Sequence, residues 1–221
     1  PPAWHLFPVD NYMQHADNHG VHRGRAMPIL ATRGCPYRCT FCSSPEMWTT
    51  RYVTRDPEDV VDEIESYVER YGVQNLNFCD LTAILKRKWI LAFCDALDAR
   101  GLHITWQLPS GTRSEVLDRE VLERMYETGA RNVTYNPETG STELLETFKK
   151  RVNLDRMMES LQDANDIGMI TRTCYIVGHP KERRRDLLDT AKQIIATARA
   201  GVDDASVMVF GPFPGSEDFH Q

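Results

Sequence analysis

The sequence lacks the features that mark membrane, secreted and nucleic-acid-binding proteins. No apolar run reaches the roughly 18 residues that a membrane-spanning helix needs, and no charged-then-apolar leader is visible. The net charge is -6, and basic and acidic residues are interleaved, so no basic stripe is available to follow a phosphate backbone. We therefore expect no membrane span and no nucleic-acid partner, and the composition indicates a reduced, cytoplasmic setting.

Cysteine is scarce, and its distribution argues against two common roles. A disulfide framework is not expected, because 221 residues with 41% hydrophobic content can bury a substantial core without one. A zinc site would need a fourth protein ligand, usually from a second CxxC or an HxxxH pair, and the sequence has neither. Three cysteines stand alone in apolar runs and are expected to pack as small buried hydrophobes: Cys79, Cys94 and Cys174.

The other three cysteines form a compact metal-binding pattern. Cys35, Cys39 and Cys42 make a CxxxCxxC loop directly after an apolar run that predicts a β-strand. Three thiolates can hold three irons of a 4Fe-4S cluster and leave the fourth iron open for a small chelating ligand. The sequence therefore predicts an incomplete metal site, and an open position is typical of a catalytic centre.

The hydrophobic pattern predicts an α/β protein made of repeated βα units around a parallel sheet. We count six units, with strands predicted at 29–32, 75–79, 103–108, 132–135, 171–177 and 205–210. The first helix is predicted to begin at Asp56-Pro57-Glu58, with aspartate as its N-cap and proline in its first position. Later helices are predicted at about 88–99, 117–128, 153–167 and 184–200. We divide the chain into a lead-in segment, 1–27, and a barrel domain, 28–221.

The cysteine spacing, with aromatic Phe41 one place before the last cysteine, resembles the signature of the radical S-adenosylmethionine (SAM) superfamily. The resemblance implies a partial (β/α)6 TIM-like barrel, with reactive groups at the carboxyl ends of its strands. It implies a 4Fe-4S cluster and SAM as cofactors, with Phe41 as a cofactor-binding residue. It also implies cleavage of SAM to a 5′-deoxyadenosyl radical that removes hydrogen from unactivated carbon. A small-molecule substrate and an electron donor such as flavodoxin or ferredoxin are the expected partners.

Two loops resemble SAM-binding segments of this family. Asp80, after the second strand, resembles the residue that holds the methionine amino group, and a helix cap is the alternative. Glu138 lies in Asn136-Pro137-Glu138-Thr139-Gly140-Ser141, which resembles the family segment G-x-E-S-G-S. It is the expected partner of the ribose or of the amino acid portion of SAM, although Pro137 departs from the pattern. The alternative is a plain turn that caps the next helix through Ser141.

The loop after the fifth strand resembles the adenine-contacting pattern G-x-I-x-G-x-x-E. Ile176 and Gly178 match it, while Cys174 replaces the leading glycine and the acid, Glu182, comes one place late. Glycine lets a flat ring approach the backbone closely, and a tight βα turn is the alternative. Residues 210–216 resemble the P-x-P-G-T segment, which covers the adenine or simply ends the barrel.

No catalytic residue is assigned from the sequence. His179 is expected at the barrel mouth, and histidine is a common acid-base residue, but a histidine beside a proline turn is also a common structural residue. Arg113 and Arg172 could bind the SAM carboxylate through a bidentate fork, or form ordinary surface ion pairs.

Residues 4–12 and 29–37 resemble the junction and first strand of cobalamin-binding-type radical SAM proteins, and the resemblance covers about residues 4–219. That group includes methyltransferases and the anaerobic magnesium-protoporphyrin ester cyclase type. We expect methyl transfer to an unactivated centre, with oxidative cyclisation or another C–H functionalisation as the alternative. The D-x-H-x-x-G cobalamin signature is missing. Asp17-Asn18-His19 matches its first three positions, but His22 stands where the signature has glycine. Cobalamin would bind, if used, to a domain outside this chain.

Two further classes are weighed against this interpretation. A methylthiotransferase usually carries a second three-cysteine set and a basic RNA-binding module, and the sequence has neither. A non-enzymatic iron-sulfur or zinc module would not need Asp80, Glu138 and Gly178 on successive strand ends. The start Pro1-Pro2-Ala3-Trp4 is not a natural translation start, so we expect the chain to be a portion of something longer.

Overall fold

A computed structural model, which describes residues 2–15 and 20–220, has an open sheet of six parallel strands at its centre. The first strand is β1 (Ala26–Ile29), and a small antiparallel hairpin follows it, formed by β2 (Thr32–Arg33) and β3 (Val53–Thr54). The sheet continues in chain order through β4 (Asn75–Phe78), β5 (Thr105–Thr112), β6 (Ala130–Glu138), β7 (Ile170–Val177) and β8 (Asp204–Val209). The predicted partial (β/α)6 architecture is confirmed, with β1 and β8 at its two edges.

Helices connect the strands. They are α1 (Val9–His15), α2 (Ser44–Trp48), α3 (Pro57–Tyr71), α4 (Arg87–Ala99), α5 (Arg119–Glu127), α6 (Thr142–Thr147), α7 (Leu154–Ile167) and α8 (Arg184–Arg199). Short 3-10 helices cover Trp4–Leu6, Ser114–Val116 and Glu217–His220. The predicted start of α3 is confirmed, because the Asp56 side chain accepts a hydrogen bond from the Glu58 N–H and Pro57 comes first. Within the described ranges, no helix is long and apolar enough to cross a membrane.

The apolar core lies between the sheet and its outer helices. Helices α3, α4, α5 and α7 pack side by side in chain order. Phe93 of α4 is fully buried there, with ring centroids 5.6 Å from Phe78, 5.5 Å from Trp106 and 5.5 Å from Trp89. Strand residues alternate between the two faces of a sheet, so the apolar members of β4 and β5 face these helices.

The opposite face of the sheet is polar. Asn75, Asn77 and Gln107 are buried and linked, since Asn77 Oδ1 accepts hydrogen bonds from Asn75 Nδ2 at 3.0 Å and Gln107 Nε2 at 2.6 Å. Gln107 Oε1 also accepts a hydrogen bond from the Val21 N–H at 3.0 Å, and Gln107 Nε2 donates to the Val21 carbonyl at 2.9 Å. The lead-in segment therefore fills part of the barrel interior through directional hydrogen bonds.

Several predicted strand boundaries are wrong. The first strand occupies 26–29 rather than 29–32, and as an edge strand it tolerates Pro28, which has no N–H to donate. The third strand continues through Pro109 to Thr112, because a register shift against β6 between Leu108 and Thr112 removes the need for a ladder donor at the proline. The fourth strand is longer than predicted, 130–138.

Two expectations remain untested. The imitation of the cobalamin signature, Asp17-Asn18-His19, lies outside the described residues. The division into a lead-in of 1–27 and a barrel domain of 28–221 stays a prediction.

Candidate active site

The cysteine loop lies between β2 and β3, at the carboxyl end of the first sheet strand. Gly34 opens the loop with φ +77°, and a Cβ on it would meet the Arg51 carbonyl oxygen at 2.2 Å, so only glycine fits. The Cys42 N–H donates to the Cys39 carbonyl at 3.1 Å. All three predicted metal ligands, Cys35, Cys39 and Cys42, are half-buried.

The thiols sit close enough to one another to interact electrostatically. Burial raises the pKa of the Cys35 thiol, and a charge on Cys42 raises it further, while the Tyr37 backbone N–H and the charges of Lys150 and Arg113 lower it. Burial also raises the pKa of Cys39; Lys150 lowers it, and charges on Cys42, Glu138 and Cys35 raise it. Free Cys35 and Cys39 thiols are therefore protonated at neutral pH, while Lys150 beside both and Arg113 beside Cys35 favour the thiolates that a metal would bind.

The chemistry of the donor set suits an iron-sulfur cluster. Thiolates are the ligands that hold 4Fe-4S clusters, and each binds a different iron. Three half-buried thiols on one loop, with Arg113 and Lys150 beside them, therefore fit the implied cluster.

Arg113 is brought to the cysteine loop, but Arg172 is not. The Arg113 guanidinium lies over the Tyr37 ring, 4.1 Å from its centroid, and its Nη2 donates to Glu115 at 2.7 Å. Arg172 pairs with Asp204 at 2.7 Å across β7 and β8. The ion-pair alternative therefore holds for Arg172, and Arg113 remains the arginine beside the predicted site.

Asp80 holds the segment that leads into the cysteine loop. Its carboxylate is 2% exposed and accepts hydrogen bonds from the N–H groups of Ala31 and Thr32 and from Thr32 Oγ1 at 2.5 Å. Burial raises the pKa of Asp80, and these hydrogen bonds oppose that shift. The helix-cap alternative is wrong, because α4 begins at Arg87 after Lys86 as its N-cap. The carboxylate therefore faces the β1–β2 junction.

Glu138 ends β6 in a buried ion pair that the sequence did not indicate. Lys150 Nζ donates to Glu138 Oε1 at 2.7 Å, and the side chains are 11% and 7% exposed. Glu138 has φ +66°, a left-handed conformation that is rare outside glycine and clusters at functional sites. Lys150 was missed because nothing in the local pattern marks it; only the fold brings it to Glu138.

The loop after Glu138 is fixed against α8. A Cβ on Gly140 would meet the Asp189 carbonyl oxygen at 2.3 Å, so the backbones approach closely. Ser141 donates to Asp186 at 2.6 Å and also accepts the Leu144 N–H at 3.3 Å as the N-cap of α6. Ser141 therefore caps α6, as the alternative proposed, and the buried Glu138 precedes it in the same loop.

Ile176 and Gly178 lie at the end of β7. Ile176 is half-buried and pairs in register with Met208 of β8. Gly178 has φ +84°, and its N–H donates to Glu182 Oε2 at 2.6 Å. A Cβ there would lie 3.7 Å from Val209, so the backbone angle rather than space calls for glycine.

Aromatic rings link Phe41 to the far side of the barrel mouth. The Phe41 and Phe148 centroids are 5.3 Å apart, and His179 packs edge-on between Phe148 at 5.0 Å and Phe210 at 4.6 Å. His179 is 5% exposed, which favours the structural alternative over acid-base catalysis.

The three lone cysteines differ in burial. Cys94 is fully buried as predicted, and Cys174 is half-buried. Cys79 is exposed, so its predicted burial is wrong: it follows the last residue of β4 and alternates onto the polar face of the sheet with Asn75 and Asn77.

The chain is similar in sequence to known proteins. The family model described as the Radical SAM superfamily matches residues 29–194. The chain is 29% identical, over its full length, to the anaerobic magnesium-protoporphyrin IX monomethyl ester cyclase of Rubrivivax gelatinosus, covering 38% of that protein. It is 28% identical to the cytidylyl-2-hydroxyethylphosphonate methyltransferase of Streptomyces wedmorensis, covering 98% of this chain and 41% of the relative.

A solved structure shares the fold. The radical S-adenosylmethionine methyltransferase TsrM from Kitasatospora setae, with cobalamin and a 4Fe-4S cluster bound, superposes with a TM-score of 0.74 at 18% identity. The match covers 94% of this chain and 41% of that one. The chain thus spans about two fifths of the length of these proteins.

Proposed function

Because the chain belongs to the radical SAM superfamily, we propose that Cys35, Cys39 and Cys42 are the protein ligands of a 4Fe-4S cluster. The family implies this cluster and SAM as cofactors, and the names of the relatives indicate an enzyme. The proposal is carried by one observation: three half-buried thiols lie on one loop, near the cations Arg113 and Lys150. When bound, the cluster supplies the electron that splits SAM to a 5′-deoxyadenosyl radical.

Glu138 and Lys150 have the charges that the amino acid portion of SAM requires. A carboxylate complements its ammonium group and an ammonium complements its carboxylate, and both side chains are nearly buried at the barrel mouth. In this proposal the pair separates when SAM binds, and each member takes a partner of opposite charge. The left-handed backbone at Glu138 supports a functional role, since such strain is retained where geometry matters.

The remaining predicted residues take two kinds of role. Ile176 and Gly178 provide an apolar side chain and an open backbone for the adenine, and Phe41 packs beside the cluster. Asp80 holds Ala31 and Thr32, so we propose that it orients the cysteine loop and does not bind the SAM amino group directly.

The finer reaction is proposed from the relatives. They include a methyltransferase and an ester cyclase. Methyl transfer to an unactivated centre, supported by cobalamin on a domain outside this chain, is therefore our first choice, and cyclisation is the alternative. The small-molecule substrate, the flavodoxin or ferredoxin electron donor and the cytoplasmic location stay predictions. A non-enzymatic metal module is disfavoured by the family match.

The ligand assignment is tested by anaerobic reconstitution of the wild type, Cys39→Ala and Cys79→Ala. We expect about four irons per chain in the wild type and in Cys79→Ala, which removes an exposed lone cysteine, and severe loss in Cys39→Ala. Iron near zero in the wild type, or full loading of Cys39→Ala, would contradict the proposal.

The reaction class is tested by SAM cleavage with and without methylcobalamin, using the loaded protein together with its flanking domains. Methyl transfer predicts S-adenosylhomocysteine and a cobalamin-dependent rate. Production of 5′-deoxyadenosine alone, at the same rate without methylcobalamin, would favour the cyclase-type alternative.

A further inference from the structure

The 3-10 turn Glu217–His220, which follows β8, is hydrogen-bonded to the cysteine loop, which follows the strand at the opposite edge of the open sheet. Thr40, which lies between the second and third cysteines, is 3% exposed and has both backbone groups bound. Its N–H donates to the Phe148 carbonyl at 3.0 Å, and its carbonyl accepts the Asp218 N–H at 3.0 Å. Because β1 and β8 are the two edges of the sheet, this contact bridges the gap between them.

A buried side-chain pair supports the turn from below. His179 Nε2 lies 3.4 Å from Asp218 Oδ2, and the side chains are 3% and 5% exposed. The Lys181 N–H donates to His179 Nδ1 at 3.2 Å, so a neutral imidazole carries its proton on Nε2, toward Asp218. Asp218 Oδ2 has no hydrogen-bond partner among the described groups, so the 3.4 Å contact with His179 Nε2 is the polar contact that it has there. A buried carboxylate oxygen of this kind depends on the histidine that faces it.

These contacts close a ring of four residues, which we call the latch: Thr40, Phe148, His179 and Asp218. Thr40 contacts Phe148 and Asp218 through its backbone, and His179 contacts the same two residues through its side chain. Each residue comes from a different segment, namely the cysteine loop, the end of α6, the loop after β7 and the turn after β8.

We propose that His179 and Asp218 are positioning residues, whose contact keeps the latch closed and thereby sets how far the cysteine loop opens to solvent. The backbone hydrogen bonds of Thr40 anchor the part of the loop between Cys39 and Cys42. The side chain of Thr40 carries no charge that could form an ion pair in their place. The consequence of the latch for a bound cluster rests on the proposed function.

The direct test is the alkylation rate of each cysteine in the reduced, metal-free protein, measured with iodoacetamide and site-resolved mass spectrometry. Asp218→Ala keeps the backbone N–H but removes the carboxylate that faces His179, and it should raise the rates at Cys39 and Cys42 about fivefold, the factor for a polar contact of about 1 kcal/mol. Asp218→Asn, which keeps a side-chain oxygen facing Nε2–H, should stay near the wild type.

Two more variants separate the latch from its surroundings. His179→Phe keeps a ring between Phe148 and Phe210 but loses the N–H, so it should resemble Asp218→Ala and serves in its place if that variant does not fold. Glu217→Gln is the matched control, because Glu217 adjoins Asp218 and makes an exposed pair with Lys149 at 2.5 Å. It should leave all alkylation rates unchanged.

Cys79 and Cys94 are internal standards, one exposed and one fully buried. Unchanged rates at Cys39 and Cys42 relative to Cys79, in both Asp218→Ala and His179→Phe, would overturn the proposal. Equal acceleration of Cys94 would also overturn it, because it would mean general loosening of the fold.

In the loaded protein, iron release to a chelator should follow the same order, fastest in Asp218→Ala and near the wild-type rate in Asp218→Asn. A wild type that binds no iron would refute the proposed function and leave the alkylation result standing. A loaded wild type whose variants release iron and alkylate at unchanged rates would refute the latch alone.

Discussion

The first four βα units and the C-terminal part of the fold, β7, α8 and β8, which we call the last unit, are held together by different forces. The large apolar core runs from the first helix to Met169 and joins the sheet to α3, α4, α5 and α7. In α8 the buried residues are polar, Asp186, Thr190 and Thr197, while Leu188 and Ile195 are 62% and 50% exposed. Val209 of β8 is 81% exposed. The last unit therefore depends on directional hydrogen bonds, and it carries loops of the candidate site.

The hydrogen bonds of the last unit also position part of the candidate site. Hydrogen bonds from α8 fix the loop after Glu138, through Ser141 to Asp186 at 2.6 Å and Thr139 to Thr190 at 2.8 Å. Apolar packing tolerates small shifts between surfaces, whereas hydrogen bonds set distance and direction. The last unit, which has the weaker apolar core, thus fixes the position of the Glu138 loop by hydrogen bonds.

The largest expected effect lies in the first region. Phe93→Ala removes a fully buried ring that contacts three aromatic neighbours, and it should lower the free energy of unfolding by about 3–5 kcal/mol in urea titrations. A loss below about 1 kcal/mol would mean that the core of the first four units is not the main source of stability.

A smaller, pH-dependent effect is expected in the last unit. The Ser141 hydroxyl, with help from the Arg183 N–H and guanidinium, lowers the pKa of Asp186 to about 2, below its ordinary value of 3.8. The stabilisation is therefore complete above about pH 4 and is lost as the pH falls toward 2. The protection factors of the α8 amides, which correct hydrogen exchange for its intrinsic pH dependence, should therefore fall across that window in the wild type.

Asp186→Asn should remove this acid-dependent loss of protection, whereas Asp189→Asn, on the same helix with a partly exposed side chain, should retain it. The same pH profile in the wild type and Asp186→Asn would show that the buried acid does not couple α8 to the Glu138 loop.

The smallest effect is expected on the outer face of α8. Leu188→Gln changes an exposed side chain and should alter the free energy of unfolding by less than about 0.5 kcal/mol. If the free energy of unfolding falls by more than about 1 kcal/mol in a protein that includes flanking domains, another surface packs against α8. The last unit would then also depend on apolar packing, as the first four units do.

The sequence predicted those parts of the fold that have local causes. Asp56-Pro57 marked the start of α3 because capping and proline act within one turn. The hairpin of β2 and β3 was not predicted, since strands of two residues carry no readable alternation. The end of the third strand was misplaced because a register shift, invisible in the sequence, accommodates Pro109.

For the site, the motif residues were identifiable but their partners were not. The three cysteines and Glu138 follow a pattern along the chain, and their positions at the barrel mouth follow from the topology. Lys150 and Asp218 act through contacts across the fold, so no local spacing indicates them. Asp80 shows the converse, because its position was predicted while its hydrogen bonds to Ala31 and Thr32 could be found only in the structure.

The most direct test of the central claim is the electron paramagnetic resonance spectrum of the reconstituted, reduced protein before and after SAM is added. A cluster held by Cys35, Cys39 and Cys42 has one open iron, so we predict a 4Fe-4S signal whose g values shift when SAM binds there. A cluster signal that does not respond to saturating SAM, or the absence of any cluster signal after reconstitution, would contradict the account.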